Sequence, residues 1–386
     1  MGKRVLITGY GGFIGQHLSG YLHKAGHTLY GVVRKKQQTL SDEDVTILEG
    51  NILIETDMHD IVQTTSPDII YHFAAQSRVG QSFTHPGSSL ETNILGTAYL
   101  LEAIRKNRPD CRVIFASSAE VYGNIIQQSM GGISEWKTDD LSLSEDLNPS
   151  PTTSPYSISK ICGEYLLTCY HKSYGLDSVI VRSFNIEGPG RGDTFVTSTI
   201  CKQAAELSIN LKKGYTIGNL AIFRDFTHVS DAVRAYSLIG QQGVSGRVYN
   251  LGSKQMTSLA SFLLYATESS GFPVDEIVFG DGTFVSEPLH MVTSGQYDVT
   301  AITALDACLL SHPDLVSPEK GVIILRTRAG EIPVRIDPTR FRPAENPVMV
   351  ADTRRIAELG YYPTFSVDQI AAEQVQYYLK QGVQKS

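Results

Sequence analysis

Short apolar runs and amphipathic stretches alternate along the first half of the chain. Val5-Leu6-Ile7-Thr8 reads as a first strand, and Gly15 to Ala25 as a helix ended by Gly26. Thr28 to Val33 reads as the next strand. Within Asp68 to Ala74, Ile69-Ile70-Tyr71-His72-Phe73 forms a short buried run. Asn93 to Asn107 predicts a long helix with Leu95, Ala98, Leu101 and Ile104 near one face. Val113 to Ala116 reads as a strand, Tyr156 to Ser173 as a helix and Ser178 to Arg182 as a strand. Such alternation implies parallel βαβ units, a doubly wound α/β sheet with helices on both faces.

The rhythm changes after Asn185, where Gly188-Pro189-Gly190-Arg191-Gly192 crowds small residues together. Residues 1–185 are expected to form one domain, with a return segment near 224–252. Residues 186–386 are expected to form a smaller mixed α/β lobe. Two polar stretches interrupt the pattern, Asn124 to Thr153 and Asp281 to Gly330. Loops that long are usually functional or partly structured.

Composition narrows the function. The chain has 386 residues, 33 Lys plus Arg and 40 Asp plus Glu, a formal charge of −7. That balance argues against a general grip on nucleic-acid phosphates. A hydrophobic content of 41% with 19% charged residues is globular and long enough to bury a core without staples. No run of apolar residues is long enough for a membrane span, and no signal peptide is read. The five cysteines lack metal or redox spacing, so buried free thiols in a reducing cytoplasm are expected. No metal-ligand cluster is apparent.

The chemistry begins after the first strand. Gly9-Tyr10-Gly11-Gly12-Phe13-Ile14-Gly15 reads G-x-x-G-x-x-G, placed between a strand and an amphipathic helix. Gly9, Gly12 and Gly15 would let the backbone, with Phe13 and Ile14, approach a pyrophosphate at the helix N-terminus. This spelling fits the dinucleotide loop of short-chain dehydrogenases/reductases, so the sheet is expected to be Rossmann-type. Strand two ends in Arg34-Lys35-Lys36, where an NAD-binding chain favours an acid. Cations there suit a 2′-phosphate, which points to NADP over NAD. Asn51 and Ile52 are expected to flank the adenine.

Tyr156-Ser157-Ile158-Ser159-Lys160 places a phenol and an ammonium four apart on one helical face. A phenol is a weak base at neutral pH because its pKa is near 10. A neighbouring ammonium stabilises the phenolate, and the Lys can also hold ribose hydroxyls. Ser118, at the end of the preceding strand, can polarise a substrate oxygen. Glu120 lies two residues further on, and in a strand-like run both would face one side. An intact Ser-Tyr-Lys set argues against a non-catalytic NADP sensor.

These motifs resemble an extended short-chain dehydrogenase/reductase acting on nucleotide sugars. Further support lies in Ala74-Ala75-Gln76-Ser77-Arg78-Val79, Ser117 to Gly123, Phe184 to Pro189, and Arg191 to Thr197. Gly218-Asn219-Leu220, Arg224-Asp225-Phe226 and Ile336 to Glu345 continue it. The group resembled is that of the GDP-mannose 4,6-dehydratases and GDP-4-keto-6-deoxy-mannose reductases. Residues 1–280 and 331–380 follow its order, and the insert near 281–330 does not.

The resemblance implies an internal redox cycle on a nucleotide-diphosphate sugar. Tyr156 would take the 4-hydroxyl proton while hydride leaves C4 for NADP. Glu120 would remove the C5 proton and help expel the 6-hydroxyl as water, after which hydride returns to C6. It also implies cofactor contacts from Ala74, Ala75 and Gln76. Substrate contacts are implied for Asn185, Arg191, Val196, Arg224, Arg342 and Glu345. Asn93–Asn107 and Tyr156–Ser173 are the pair that would join a homodimer or homotetramer. One departure counts against GDP as the base and brings the reductase closer: the run Thr194-Phe195-Val196-Thr197 continues Ser198-Thr199-Ile200, without the Lys that dehydratases carry there; an epimerase, which shares much of the scaffold, also stays open.

Overall fold

In the computed structural model, residues 2–35, 44–123, 125, 142–150, 154–292, 302–342 and 345–383 are described. The main sheet is built from β1 (Arg4–Thr8), β2 (Thr28–Val33), β3 (Val45–Glu49), β4 (Ile69–His72), β5 (Arg112–Ser118), β6 (Ser178–Ser183) and β7 (Val248–Leu251). All pair in parallel, in the order β7-β6-β5-β4-β1-β2-β3. The apolar run of β1 is continuous because both faces are covered. Val5 and Ile7 pack with Leu18 and Leu22 on one face, and Leu6 packs with Ile61 and Leu101 on the other. Helices Phe13–Lys24 and Val229–Gln242 cover the first face. Helices Glu55–Thr65, Gly96–Asn107 and Pro155–Tyr174 cover the second. The strand order reverses between β1 and β4, which opens a crevice beyond their C-terminal ends.

Three local expectations are corrected. The polar strand β3 and the helix Glu55–Thr65 carry weak apolar patterns and were not foreseen; β3 is an edge strand with only Val45 buried. The helix expected from Asn93 opens with a π-turn over Glu91–Leu95. Its extra residue rotates the face, so Leu95 is exposed while Leu100, Leu101, Ala103 and Ile104 are buried. Of the five thiols only Cys111 and Cys201 are buried. Cys162 and Cys169 lie outside the buried stripe of Pro155–Tyr174.

Among the described residues the smaller lobe contains two five-stranded sheets and the antiparallel pair of Met291–Val292 with Ile302–Thr303. Phe223–His228 pairs in parallel with Val348–Ala351 and Asn185–Glu187, and antiparallel with Met256–Ser258. The start of the expected return segment therefore belongs to this lobe, and the chain rejoins the main sheet at β7. Ser142–Leu143, from the long polar stretch, adds to Val348–Ala351; positions 124, 126–141 and 151–153 of that stretch lie outside the described residues. The other sheet runs Phe284–Ser286, Val274–Val278, Ile323–Thr327, Gly330–Ile336, Tyr215–Ile217. Much of the 281–330 insert is thus core, with Ile302, Leu305, Leu309, Leu315 and Ile323 buried in the lobe. Its residues 293–301 lie outside the described set. Among the described residues no helix is long and apolar enough to cross a membrane.

His72 shows how the sheet tolerates a polar group inside an apolar run. Thr97 Oγ1 donates to Asn93 O at 2.6 Å, so it accepts from His72 Nε2, 3.1 Å away. His72 Nδ1 then accepts from Thr8 Oγ1 at 2.7 Å. Burial, with the Lys160 charge, lowers its pKa to about 3. The unfolded chain protonates this imidazole below about pH 6.5 while the native state does not. Its contribution is full above that pH and is lost progressively as pH falls toward 3. The expected slope is about 1.4 kcal/mol per pH unit. Urea midpoints between pH 7 and 5 check it: His72→Asn should lose that part of the slope.

Candidate active site

The glycine loop is shaped by close backbone approach. Gly9 has φ +71°, and a Cβ there would lie 2.7 Å from Ala74 N. A Cβ on Gly15 would lie 2.8 Å from the carbonyl oxygens of Gly9 and Tyr10. Gly12 is the N-cap of Phe13–Lys24 and offers no side chain to its N–H groups. The helix end therefore presents donors to an anion in the crevice, and the residues fit a dinucleotide pyrophosphate. Gly9→Ala should weaken nicotinamide-dinucleotide binding by about tenfold, because the left-handed backbone alone costs about 1–2 kcal/mol. Fluorescence titration checks it.

Around the loop, Arg34 and Lys35 follow β2 and are exposed, and Lys36 lies outside the described residues. Asn51 Oδ1 accepts from Leu53 N at 3.1 Å, and its N–H donates to Asp57 at 2.9 Å. Ile52 is buried beneath Gly96, where a Cβ would meet its Cδ1 at 2.6 Å. Ala74, Ala75 and Gln76 follow β4. Ala74 N donates to Thr8 Oγ1 at 3.3 Å.

The residues expected to act as acid and base come from the end of β5, the turn after it, and the helix Pro155–Tyr174. Ser154 caps Pro155–Tyr174 by accepting from Ser157 N at 3.0 Å, and Pro155 opens its first turn. Tyr156 and Lys160 both fall on the buried stripe. Lys160 Nζ donates to Ala116 O at 2.7 Å and lies 5.9 Å from the Tyr156 ring centre. Burial lowers the Lys160 pKa to about 8, with the Glu164 carboxylate opposing. Burial pushes Tyr156 up to about 12; a hydrogen bond with Ser118 opposes, Glu120 adds to the rise, and Arg191 opposes it. The strand ends at Ser118, and Glu120 lies in the 3-10 turn Ala119–Tyr122. Ser118 Oγ accepts from Glu120 N at 3.2 Å. Strand alternation is therefore not what sets these two side chains; a capped turn does it.

Four charges form a second cluster. Glu120 Oε1 lies 3.6 Å from Arg342, which lies 3.4 Å from Glu345. Glu345 Oε1 accepts from Arg224 at 3.2 Å. Arg224 is buried and also donates to Phe223 O and Asn346 O, each at 2.8 Å. Pro343 and Ala344 lie outside the described residues. Asn185 stands beside this strand, opposite Phe226. Val196 starts the helix Val196–Ser208 and packs on the lobe's core. Arg191 has other partners: Glu187, 3.1 Å away, and the rings of Phe195 and Phe13.

Two residues escaped the sequence reading. Asn93 Oδ1 accepts from Gln76 N at 2.7 Å, and its Nδ2 donates to Ser159 Oγ at 2.8 Å. It ties the loop after β4 to the helix bearing Tyr156. Glu187 holds Arg191. Neither stands at a spacing that marks it. Among the described residues no group of three His, Cys, Asp or Glu side chains could hold a metal ion.

The sequence family described as GDP-mannose 4,6 dehydratase matches residues 6–280. The chain belongs to this family. It is 28% identical to a Yersinia enterocolitica GDP-mannose 4,6-dehydratase, covering 99% of this chain and 95% of that one. It is 30% identical to a Pseudomonas aeruginosa GDP-6-deoxy-D-mannose reductase over 66% of this chain and 76% of that one. Its fold is that of RMD from Pseudomonas aeruginosa in complex with NADPH, with a TM-score of 0.69, 21% identity, and 98% and 99% coverage. UDP-glucose 4-epimerase from Thermus thermophilus, in complex with NAD, shares it with a TM-score of 0.70, 20% identity, and 97% and 98% coverage. The family is therefore that of extended nucleotide-sugar short-chain dehydrogenases/reductases.

Proposed function

We propose that this chain is an NADP-dependent GDP-mannose 4,6-dehydratase. One observation carries the reading. An acid, Glu120, shares a site with Ser118 and Tyr156 and is joined through Arg342 and Glu345 to the buried Arg224. A reductase of a 4-keto sugar needs the phenol but no acid to draw a proton from C5. The missing Lys after Thr197, with the similarity to the reductase, favours that second reading.

A bound nicotinamide would supply hydride-transfer chemistry for oxidation at C4 and reduction at C6. Gly9, Gly12 and Gly15 would hold its pyrophosphate, and exposed Arg34 and Lys35 favour a 2′-phosphate. Tyr156 accepts the 4-hydroxyl proton, and Ser118 holds the sugar oxygen. The resulting ketone acidifies C5, where Glu120 removes a proton and delivers it to the departing 6-hydroxyl. Arg224 and Arg342 suit the diphosphate because planar guanidinium forks match phosphate oxygens. Exposed Leu95, Ile158, Tyr165 and Tyr174 support self-association through Gly96–Asn107 and Pro155–Tyr174 as a homodimer or homotetramer.

The test is incubation with GDP-mannose and catalytic NADP, followed by mass spectrometry. Loss of one water without net NADPH is expected. Untouched GDP-mannose, with NADPH consumed by a GDP-4-keto-6-deoxy sugar, selects the reductase.

A further inference from the structure

Arg224, Glu345, Arg342 and Glu120 form a row whose successive contacts are 3.2, 3.4 and 3.6 Å. Two guanidiniums and two carboxylates cancel. A diphosphate brings further negative charge, and cations already neutralised attract it little. For the row to hold a diphosphate, one carboxylate must give up its cation.

The two ends of the row are held differently. The Arg224 side chain is only 7% exposed, and its Nη1 donates to Phe223 O and Asn346 O, each at 2.8 Å. Its Nη2 donates to Glu345 Oε1 at 3.2 Å. Arg342 is 38% exposed and reaches both Glu345 and Glu120 through one nitrogen, Nη1. Both of its contacts are longer than the about 2.7–3.2 Å of a good N–H···O bond. Among the described residues Arg342 is the one cation in ion-pair contact with Glu120, whereas Glu345 also holds Arg224. Glu120 is therefore the acid that loses its partner. Its own N–H donates to Ser118 Oγ at 3.2 Å, so its backbone stays tied to the end of β5 when Arg342 turns away.

We propose that Arg342 exchanges Glu120 for the diphosphate of the substrate, so that nucleotide binding unpairs the acid that acts at C5. This rests on the reading above, in which Arg224 and Arg342 hold a diphosphate and Glu120 takes the C5 proton. Arg224 stays on Glu345 and anchors the nucleotide, and Arg342 is the side chain that moves. No covalent bond changes in the exchange. A carboxylate freed of its cation is the stronger proton acceptor. A hexose without the diphosphate meets an acid that is still paired.

The experiment is calorimetric titration of the NADP-bound protein with GDP, with no sugar present. Glu120→Gln should tighten GDP binding by about fivefold, the worth of a partly exposed ion pair. Arg342→Met should weaken it, and adding Glu120→Gln to Arg342→Met should change nothing further. Equal tightening by Glu120→Gln in both backgrounds is plain charge repulsion and would overturn the proposal, as would no tightening in either. Where a variant fails to fold, a crystal structure of the unaltered protein with GDP reads the same exchange. Arg342 on phosphate oxygens and out of contact with Glu120 is expected; Arg342 still paired with Glu120 overturns it. If GDP, UDP and dTDP all fail to bind, the diphosphate role of Arg224 and Arg342 falls and takes the exchange with it. A nucleotide that binds without the coupling overturns the exchange alone.

Discussion

Replacing Tyr156 by Phe should slow consumption of GDP-mannose by roughly 10²–10⁴-fold, the usual worth of a positioned acid–base group. On the proposed reading the cause is loss of the phenol, hydrogen-bonded to Ser118, that takes the 4-hydroxyl proton. Glu120→Gln should fail differently. Tyr156, Ser118 and Lys160 remain, so the sugar still loses two hydrogens at C4 within a single turnover. Without a carboxylate at position 120 no water leaves, and the 4-keto hexose accumulates with its 6-hydroxyl. Mass spectrometry of quenched single turnovers separates the two variants. Equal loss of both steps in Glu120→Gln would remove Glu120 from the elimination.

The largest stability change should come from Arg182→Met. Arg182 on β6 donates to Glu164 at 3.0 and 2.8 Å, and the two side chains are only 4% and 5% exposed. Ser117 of β5 donates to the same carboxylate at 2.6 Å, and the guanidinium lies 4.8 Å from the Tyr122 ring centre. The network joins two strands to the helix that carries Lys160 one turn before Glu164. Removing the cation leaves a buried carboxylate uncompensated, which costs about 3–5 kcal/mol. Urea unfolding should show that loss. Adding Glu164→Leu to Arg182→Met should recover most of it, because the bare charge is then gone.

The sequence carries the sheet where apolar runs are continuous and the helices where apolar stripes are regular. β1 and β4 are legible because burial on both faces makes their apolar runs nearly continuous, with the buried Thr8 and His72 at their ends satisfied by hydrogen bonds to each other and to Thr97. β3 is not, because an edge strand can keep Thr46 and Glu49 toward solvent. Leu95 is misplaced by a π-turn that no local propensity marks. Tyr156 and Lys160 are legible because helical spacing alone joins them. Glu120 and Arg342, or Arg224 and Glu345, meet only through tertiary structure. Resemblance to a family names them, and the fold supplies the contacts. Glu187 and Asn93 work through hydrogen bonds to distant backbone and side chains, which leave no periodic trace.

The internal hydride cycle is tested most directly with GDP-mannose deuterated at C4. The account predicts a dehydrated product that carries the deuterium on its C6 methyl group, with no net change in NADPH. Deuterium left at C4, or transferred to the cofactor and released in stoichiometric amount, would contradict it.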